Sequence, residues 1–553
     1  MYQDQKKTPG RLALWLPLLF AIVLVVGMLI GMKMQSRGPS VAVEAGNVPF
    51  HSSGQGKIEE ILRYIEAKYV DEVDRERLIQ EMINQMLTKL DPHSNYITAE
   101  QLQEINEQLE GNFDGIGVEF MLLEDTIVVV APLAGGPSEA AGVQAGDKIV
   151  QIGDSTIAGV GIDTRGVINL LRGEKGTKVE IGVLRGKEQK LRRFTITRDA
   201  IPMHSVDVAY MLNDKTGYVK INRFSATTHQ EFMQGVEEMV EKQGMRNLVI
   251  DLRHNPGGYL QQATNILSQL FRQKEKLLVY TEGRAVSRND YQSTGRALFP
   301  IGDIVVLIDE GSASASEILA GAIQDQDRGI IVGRRSFGKG LVQEQYQLRD
   351  GSALRLTVAR YYTPSGRSIQ KPYRSGLQDY ENETMARLES GELASPERIA
   401  IIDSTAFFTS NGRLVYGGGG ITPDIFVPLD SILFDDYYLE LRQYVPQFVL
   451  DHMGEQSAEF KSSYTLERFA KQYQVNEALY DGLLSFARGR GAKLQTRPTS
   501  AGRQAIKQLI KARMAKYLFD QEGFYTVLNQ DDAMVIEALK ALENPKAFIA
   551  NKK

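Results

Sequence analysis

Five consecutive β-formers, Ile304-Val305-Val306-Leu307-Ile308, stop at Asp309-Glu310-Gly311. A strand with no polar residue on either face must be covered on both sides, which points to a parallel sheet between helical layers. The next residues fit that requirement. Ser312-Ala313-Ser314-Ala315-Ser316 leads into an apolar helical pattern at Ile318, Leu319, Ala322 and Ile323. Ile330-Ile331-Val332 is a second short strand, and beyond it stands a glycine-flanked lysine, Gly338-Lys339-Gly340. In such a β-α-β unit, a hydroxyl at the strand-to-helix turn and a lysine beyond the next strand share one sheet edge if the lysine loop folds back.

That pairing has a chemical use. A serine hydroxyl is a poor nucleophile until a base takes its proton, and lysine is a base only when burial or a nearby cation keeps it neutral. Glycines beside Lys339 let its stem enter a tight site. A serine at a helix start has free backbone N–H groups and the positive dipole end close to a developing oxyanion. Two other readings use the same residues. Ser312, Ser314 and Ser316 are good helix N-caps. Ser336-Phe337-Gly338-Lys339 has the Ser-x-x-Lys spacing of a hydrolase class acting on cell-wall peptides. That spacing needs a helix, which the two glycines disfavour.

GSASASEI, the following QD and GRRSFGKGLVQ resemble the catalytic segment of the carboxy-terminal processing proteases, the tail-specific serine peptidases. The resemblance implies a serine-type endopeptidase with Ser314 as nucleophile, Lys339 as general base and Gln343 holding the lysine. It implies a crotonase/ClpP-like α/β protease core with an inserted PDZ-like β-rich domain; with an N-terminal transmembrane helix and helical N- and C-terminal regions read from the residue patterns, the expected fold is an α/β multidomain chain. Asp251 to Gly258, DLRHNPGG, is similar to the family's glycine loop. By resemblance the oxyanion donors are the backbone N–H groups of Gly257, Gly258 and Ala315. A Ser-His-Asp arrangement using His254 with Asp251 or Asp309 is the rival, and the family's base is lysine.

Leu12 to Met32 is almost wholly apolar. At roughly 1.5 Å per residue it spans a bilayer core of about 30 Å. No small-x-small cleavage site follows, so an uncleaved anchor is expected. Lys6, Lys7 and Arg11 precede the span, against Lys33 and Arg37 after it, which places the amino terminus in the cytoplasm. Residues 1–38 are thus a cytoplasmic stub and transmembrane anchor, single-pass in the cell inner membrane, with a periplasmic or extracytoplasmic catalytic domain. Gly27-x-x-x-Gly31 is a weak helix-pairing signal. Residues 39–105 begin as a Gly/Ser/Pro linker and continue with helical spacing at Ile58, Ile61, Leu62, Ile65, Leu78, Met82, Ile83, Met86 and Leu87. LDPHSNYIT, Leu90 to Thr98, is a turn in which His93 reads as structural. The family's leading helices often form dimers, so the resemblance leaves a homodimer or an activating partner open.

Residues 106–200 read as a PDZ-like peptide-binding domain. Strand-like runs (117–121, 126–130, 148–152, 178–184, 191–197) alternate with glycine turns, and Thr164 to Leu171 is the expected groove helix. Gly115-Ile116-Gly117-Val118 resembles the carboxylate loop of PDZ domains, and SEAAGVQAGDKIVQIGD (Ser138 to Asp154) resembles their most recognisable stretch. Successive N–H groups there would hold a terminal carboxylate while an extended peptide adds to the strand edge. The expected partners are therefore proteins or peptides with accessible C-termini, and the domain is expected to gate the protease.

Residues 201–428 alternate strand and helix, including strands at 217–221, 247–252 and 276–280, and predict a largely parallel sheet. Residues 371–416 look like a charged, irregular insertion. Gly417-Gly418-Gly419-Gly420 lacks a following GK[ST], so it is not a phosphate cradle. Residues 429–553 are a helical C-terminal extension with no motif, beyond the resemblance. The chain has no cysteine, which excludes disulfides and thiolate zinc sites, and its six histidines form no HExxH, so neither metal nor cofactor is expected. A net charge of −5 gives no nucleic-acid footprint. A non-catalytic PDZ scaffold is the rival from another class; Ser314, Lys339 and Gln343 all being present speaks against it.

Overall fold

A computed structural model describes residues 55–549, apart from 124, 134, 187, 189 and 495–497. The apolar stretch Leu12 to Met32 and most of the expected linker lie outside the described residues. Among the described residues no helix is long and apolar enough to cross a membrane. The chain divides into two units at Glu81/Met82. In the first, the helix Gln55–Lys68 is joined to the start of the helix Arg75–Thr88 by Arg75 and Glu59, 2.9 Å apart. The periodicity lapse at Tyr69–Asp71 falls between these two helices.

The second unit begins with β1 (Asn95–Ile97) and the helix Ala99–Glu110, whose start is closed by a Thr98/Gln101 capping box. The PDZ module follows. Its strands are β2 (Asn112–Gly115), β3 (Val118–Leu123), β4 (Thr126–Pro132), β5 (Lys148–Ile152), β6 (Ser155–Thr156), β7 (Lys178–Leu184), β8 (Arg192–Thr197) and β9 (Asp199–Pro202). β3-β4-β5-β7-β8 form one sheet, with β6 on β5. Ile127, Val129, Ile149, Ile181 and Val183 pack there against Val167 and Leu171 of the helix Thr164–Leu171. Among the described residues β3 pairs with no strand but β4, the position at which an extended peptide can add to a sheet. β2 and β9 pair antiparallel, so both ends of the module leave through a single ribbon.

The protease core is built from β10 (Val206–Met211), β11 (Thr216–Ile221), β12 (Asn247–Asp251), β13 (Lys274–Glu282), β14 (Asn289–Thr294), β15 (Ile304–Ile308), β16 (Ile330–Gly333), β17 (Leu341–Gln347), β18 (Ala353–Tyr362), β19 (Asp403–Phe408), β20 (Leu414–Gly417) and β21 (Ile425–Phe426). The main sheet runs β10-β11-β12-β15-β16-β21, parallel except where β10 meets β11. β15 lies inside it, and its five residues are all buried. Ile304, Val306 and Ile308 join Phe232, Leu267 and Ile318 from the helices on one face. Val305 and Leu307 join Met534, Val535 and Ala538 on the other. Full burial of each such side chain is worth roughly 1.5–3 kcal/mol, which explains the unbroken apolar run.

Two expectations are corrected. The strand expected at 276–280 does not enter the parallel sheet. It is β13 of an antiparallel sheet, β1-β18-β13-β14 with β17 on β18, because Gly283 and β14 turn the chain back on itself. The insertion at 371–416 is ordered, with helices Leu377–Glu381 and Glu383–Glu389 and the hairpin β19-β20. Its buried charges are paired: Arg335 meets Glu392 at 2.7 Å and Glu383 at 3.1 Å, and Lys371 meets Glu383 at 2.8 Å. The C-terminal extension is helical, as expected, and packs on the core. Residues 437–528 form their own helical core, and the helix Ala533–Glu543 is the second cover of the main sheet.

Candidate active site

Three loops leave the C-terminal ends of β12, β15 and β16, the edge of an α/β sheet where ligands bind. They carry DLRHNPGG, the serine run and the glycine-flanked lysine. The lysine loop does fold back: Phe337 N–H donates to Ser312 O at 3.0 Å. Ser314, Lys339, Gln343, Gly258, Tyr361 and Arg355 line one cleft of about 560 Å³.

Ser314 immediately precedes the helix Ala315–Asp325 with φ 56° and ψ −113°, a conformation normally left to glycine. The strain is held by what surrounds it. A Cβ on Gly257 would lie 2.7 Å from Ala313 O and 2.8 Å from Ser314 Cβ, so only glycine lets the DLRHNPGG loop sit flush against the serine turn. Ser314 N–H donates to Glu317 Oε2 at 2.8 Å. Tyr361 Oη donates to Lys339 O at 2.5 Å and lies 3.1 Å from Ser314 O.

Glu317 is the hub that sequence reasoning missed. It is fully buried and accepts from Ser336 Oγ at 2.6 Å, Gly338 N–H at 2.7 Å and Lys339 N–H at 2.8 Å, besides Ser314 N–H. One carboxylate thus fixes the serine turn to the lysine loop. Burial pushes it up to about 7, against the pull of those donors. The available signal was the Ser314-x-x-Glu317 spacing of a capping box in an otherwise apolar helix.

Lys339 Nζ donates to Gln343 Oε1 at 3.0 Å. Burial holds the lysine below its ordinary value, helped by the Arg355 guanidinium and opposed by Glu317 and Asp91. Gln343 Nε2 donates to His93 O at 2.5 Å. The LDPHS turn therefore reaches the site through its backbone. It is tied down by Asp91, which accepts from His93 N–H and Ser94 N–H at 2.8 Å and from Thr357 Oγ1 at 3.0 Å. The His93 ring contacts the Tyr380 hydroxyl at 2.7 Å and is held down to about 4, first by burial and then by Lys339.

Of the expected oxyanion donors, Gly257 is corrected: its N–H is committed to Asn255 Oδ1 at 2.8 Å. Gly258 is exposed to the cleft, and neither its N–H nor that of Ala315 has a protein acceptor among the described residues. Two rival sites are also corrected. Ser336 is not on a helix with Lys339; it is fully buried and spends its hydroxyl on Glu317 and Ile421 N–H, the latter at 2.7 Å. His254 does not line the cleft. Its exposed ring lies 3.0 Å from Asp309, and Asp251 belongs to Arg253 at 2.6 Å and Lys220 at 3.3 Å. In the PDZ module, Ile116 O accepts from Ser138 N–H at 3.0 Å, and Gly117 turns with φ 70° just before Val118 opens the free edge of β3. Gly115 ends β2, in the ribbon with β9.

A fold with a serine turn, a buried lysine and a PDZ module defines a class of serine peptidase, and comparison with known proteins agrees. Peptidase family S41 matches residues 215–379, the PDZ domain family matches 115–196, and a family of unknown function (DUF8443) matches 437–520. The carboxy-terminal-processing protease of Bartonella bacilliformis is 37% identical over 317 residues, 56% of this chain and 71% of the relative. The carboxy-terminal processing protease CtpB of Bacillus subtilis is 35% identical over 319 residues, 57% of this chain and 65% of that protein. The solved photosystem II D1 C-terminal processing protease is 32% identical, covering 57% of this chain and 84% of that one, with a TM-score of 0.32. The chain belongs to the carboxy-terminal processing proteases, serine peptidases that carry a PDZ domain.

Proposed function

We propose that this protein is a membrane-anchored, extracytoplasmic endopeptidase that captures protein C-termini through its PDZ domain and cleaves near them with a Ser314–Lys339 dyad. The observation that carries the reading is the shared cleft: it is lined both by a strained serine at a helix start and by a buried lysine whose ammonium form is disfavoured. Ser314 Oγ attacks the scissile carbonyl as neutral Lys339 Nζ accepts its proton, and the resulting ammonium returns that proton to the leaving amine. Water then repeats the cycle to release the acyl chain. Gln343 orients Nζ. The free N–H groups of Gly258 and Ala315 receive the oxyanion at the positive end of the helix Ala315–Asp325. No cofactor enters this cycle.

The anchor is assigned to residues 12–32, whose length and apolar character suit a bilayer. The PDZ carboxylate loop is assigned to Gly115, Ile116, Gly117 and Val118. Gating is supported by the helix Ala99–Glu110, which leads into the PDZ ribbon and lends Asn106 and Leu109 to the cleft. Incubating the detergent-solubilised full chain with an unstructured protein and with a serine-directed acylating agent tests the centre. Adduct on Ser314, with Ser314→Ala and Lys339→Ala both inert, is expected. Adduct on Ser336, or cleavage by Ser314→Ala, refutes the assignment.

A further inference from the structure

The cleft contains a charge without a counterpart. Alternate residues of a strand share a face, so Arg355 and Thr357 of β18 point the same way, while Tyr361 lies beyond a register shift at Val342/Gln343 and lines the same cleft. Tyr361 reaches the backbone of Ser314 and Lys339, Thr357 is the cross-strand partner of Gln343, and Arg355 is the partner of Gln345. Arg355 Nη2 donates to Gln345 Oε1 at 2.9 Å. Among the described residues no carboxylate comes within 4.0 Å of this guanidinium. Arg253, Arg335, Arg367 and Arg413, by contrast, each meet a carboxylate at 2.7 Å or closer. Arg355 is half-buried, and burial pulls its guanidinium below the ordinary value, as expected for a cation that gives up water without gaining an anion.

A guanidinium with unused N–H donors, fixed on a strand beside the reacting groups, is shaped for a carboxylate. We propose that Arg355 is a specificity residue that binds a carboxylate of the substrate next to the scissile bond. This carboxylate is either an Asp or Glu side chain flanking the cleaved bond or the terminal carboxylate of a short tail. The proposal rests on the cleft being the catalytic centre and adds a substrate preference to it. Pairing Arg355 with an anion also removes one influence that keeps Lys339 neutral, so the benefit is expected in KM rather than in kcat.

The test uses the full chain in detergent and short internally quenched peptides at a pH on the activity plateau. In one arm the C-terminus is amidated and Asp is scanned against Asn through the positions flanking the cut. In the other the side chains stay neutral and a free C-terminus is compared with an amide. Wild type is expected to favour one Asp position, or the free terminus, by about tenfold in kcat/KM, mainly through KM. Arg355→Gln is expected to bring that ratio to within about twofold, and Arg355→Lys, which keeps the charge without the fork, to fall between. Absence of any carboxylate preference in wild type overturns the proposal, as does a preference that survives in a folded Arg355→Gln. Cleavage of the neutral peptides by Ser314→Ala instead overturns the catalytic reading, so the two failures are distinct.

Discussion

Asp532→Asn separates a charge from a helix cap. Asp532 Oδ2 meets Arg253 Nη1 at 2.6 Å. Its Oδ1 accepts from the N–H groups of Met534 and Val535 at 2.9 and 3.1 Å, opening the helix Ala533–Glu543. Asparagine caps a helix about as well as aspartate, so the substitution retains the cap and deletes the ion pair. Arg253 and Lys220 are otherwise balanced by Asp251, which meets them at 2.6 and 3.3 Å, and the variant leaves one uncompensated positive charge. Breaking a fully buried pair costs about 3–5 kcal/mol. The Asp532 side chain keeps 24% exposure, so solvent screening reduces the expected loss to about 2 kcal/mol. Asp532→Ala should lose about 1 kcal/mol more through the cap. Arg253 opens the loop that ends at Gly258, and a small displacement of the oxyanion donors should lower kcat about tenfold. Thermal unfolding and turnover of an unstructured peptide, measured on the full chain, report both effects. If Asp532→Asn matches wild type in both while Asp532→Ala does not, only the cap matters and the reasoning fails.

In the proposed mechanism Lys339 acts in its neutral form, and its value is depressed, so kcat/KM should rise with pH along a limb centred below the ordinary lysine value; a limb at or above that value, in a full pH–rate profile, contradicts the base assignment. Glu317→Gln offers one acceptor oxygen where two bind four donors, so kcat should fall about a hundredfold, and an unaffected kcat would remove Glu317 as the hub. The same variant bears on stability: a carboxyl raised from 4.5 to about 7 binds its proton more tightly in the folded state, so its contribution is complete below 4.5 and is lost as pH climbs to about 7. Wild type should lose stability relative to Glu317→Gln across that window in pH-dependent melting curves. Gln343→Ala frees Nζ from its only side-chain acceptor among the described residues and should lower kcat about tenfold with little change in melting temperature. Removing residues 106–200 should change turnover of an unstructured peptide, and an unchanged rate counts against gating.

Much of the site was legible because its chemistry is local. Ser314 lies at a strand-to-helix turn, and a glycine-flanked Lys339 after the next strand admits few roles. The glycine-rich loop proposed to hold a carboxylate and the helix Thr164–Leu171 of the PDZ module are similarly short-range patterns. Glu317 was harder to read, since a capping-box glutamate differs from a hub only by what approaches from Gly338 and Lys339. The insertion at 371–416 looked irregular because its order comes from ion pairs with Arg335 and from Lys371 over the Phe337 and Tyr380 rings, 3.9 and 4.1 Å from their centroids. Composition shows the charges and hides the pairing.

By itself the sequence determined the βαβ unit and the order of the modules and singled out Ser314 and Lys339 as the proposed reacting residues, because strand burial, helix periodicity and glycine turns act over a few residues. Only the tertiary structure decided that Gly258 rather than Gly257 has its N–H free, that Ser336 is a strut, that His93 lends a carbonyl to Gln343, and that the last long helix covers the main sheet. Each of these depends on groups far apart along the chain meeting at hydrogen-bond or van der Waals distance. Contacts of that kind leave no periodic trace in sequence, since any apolar helix can cover a sheet and any carboxylate can meet an arginine until packing selects the partner.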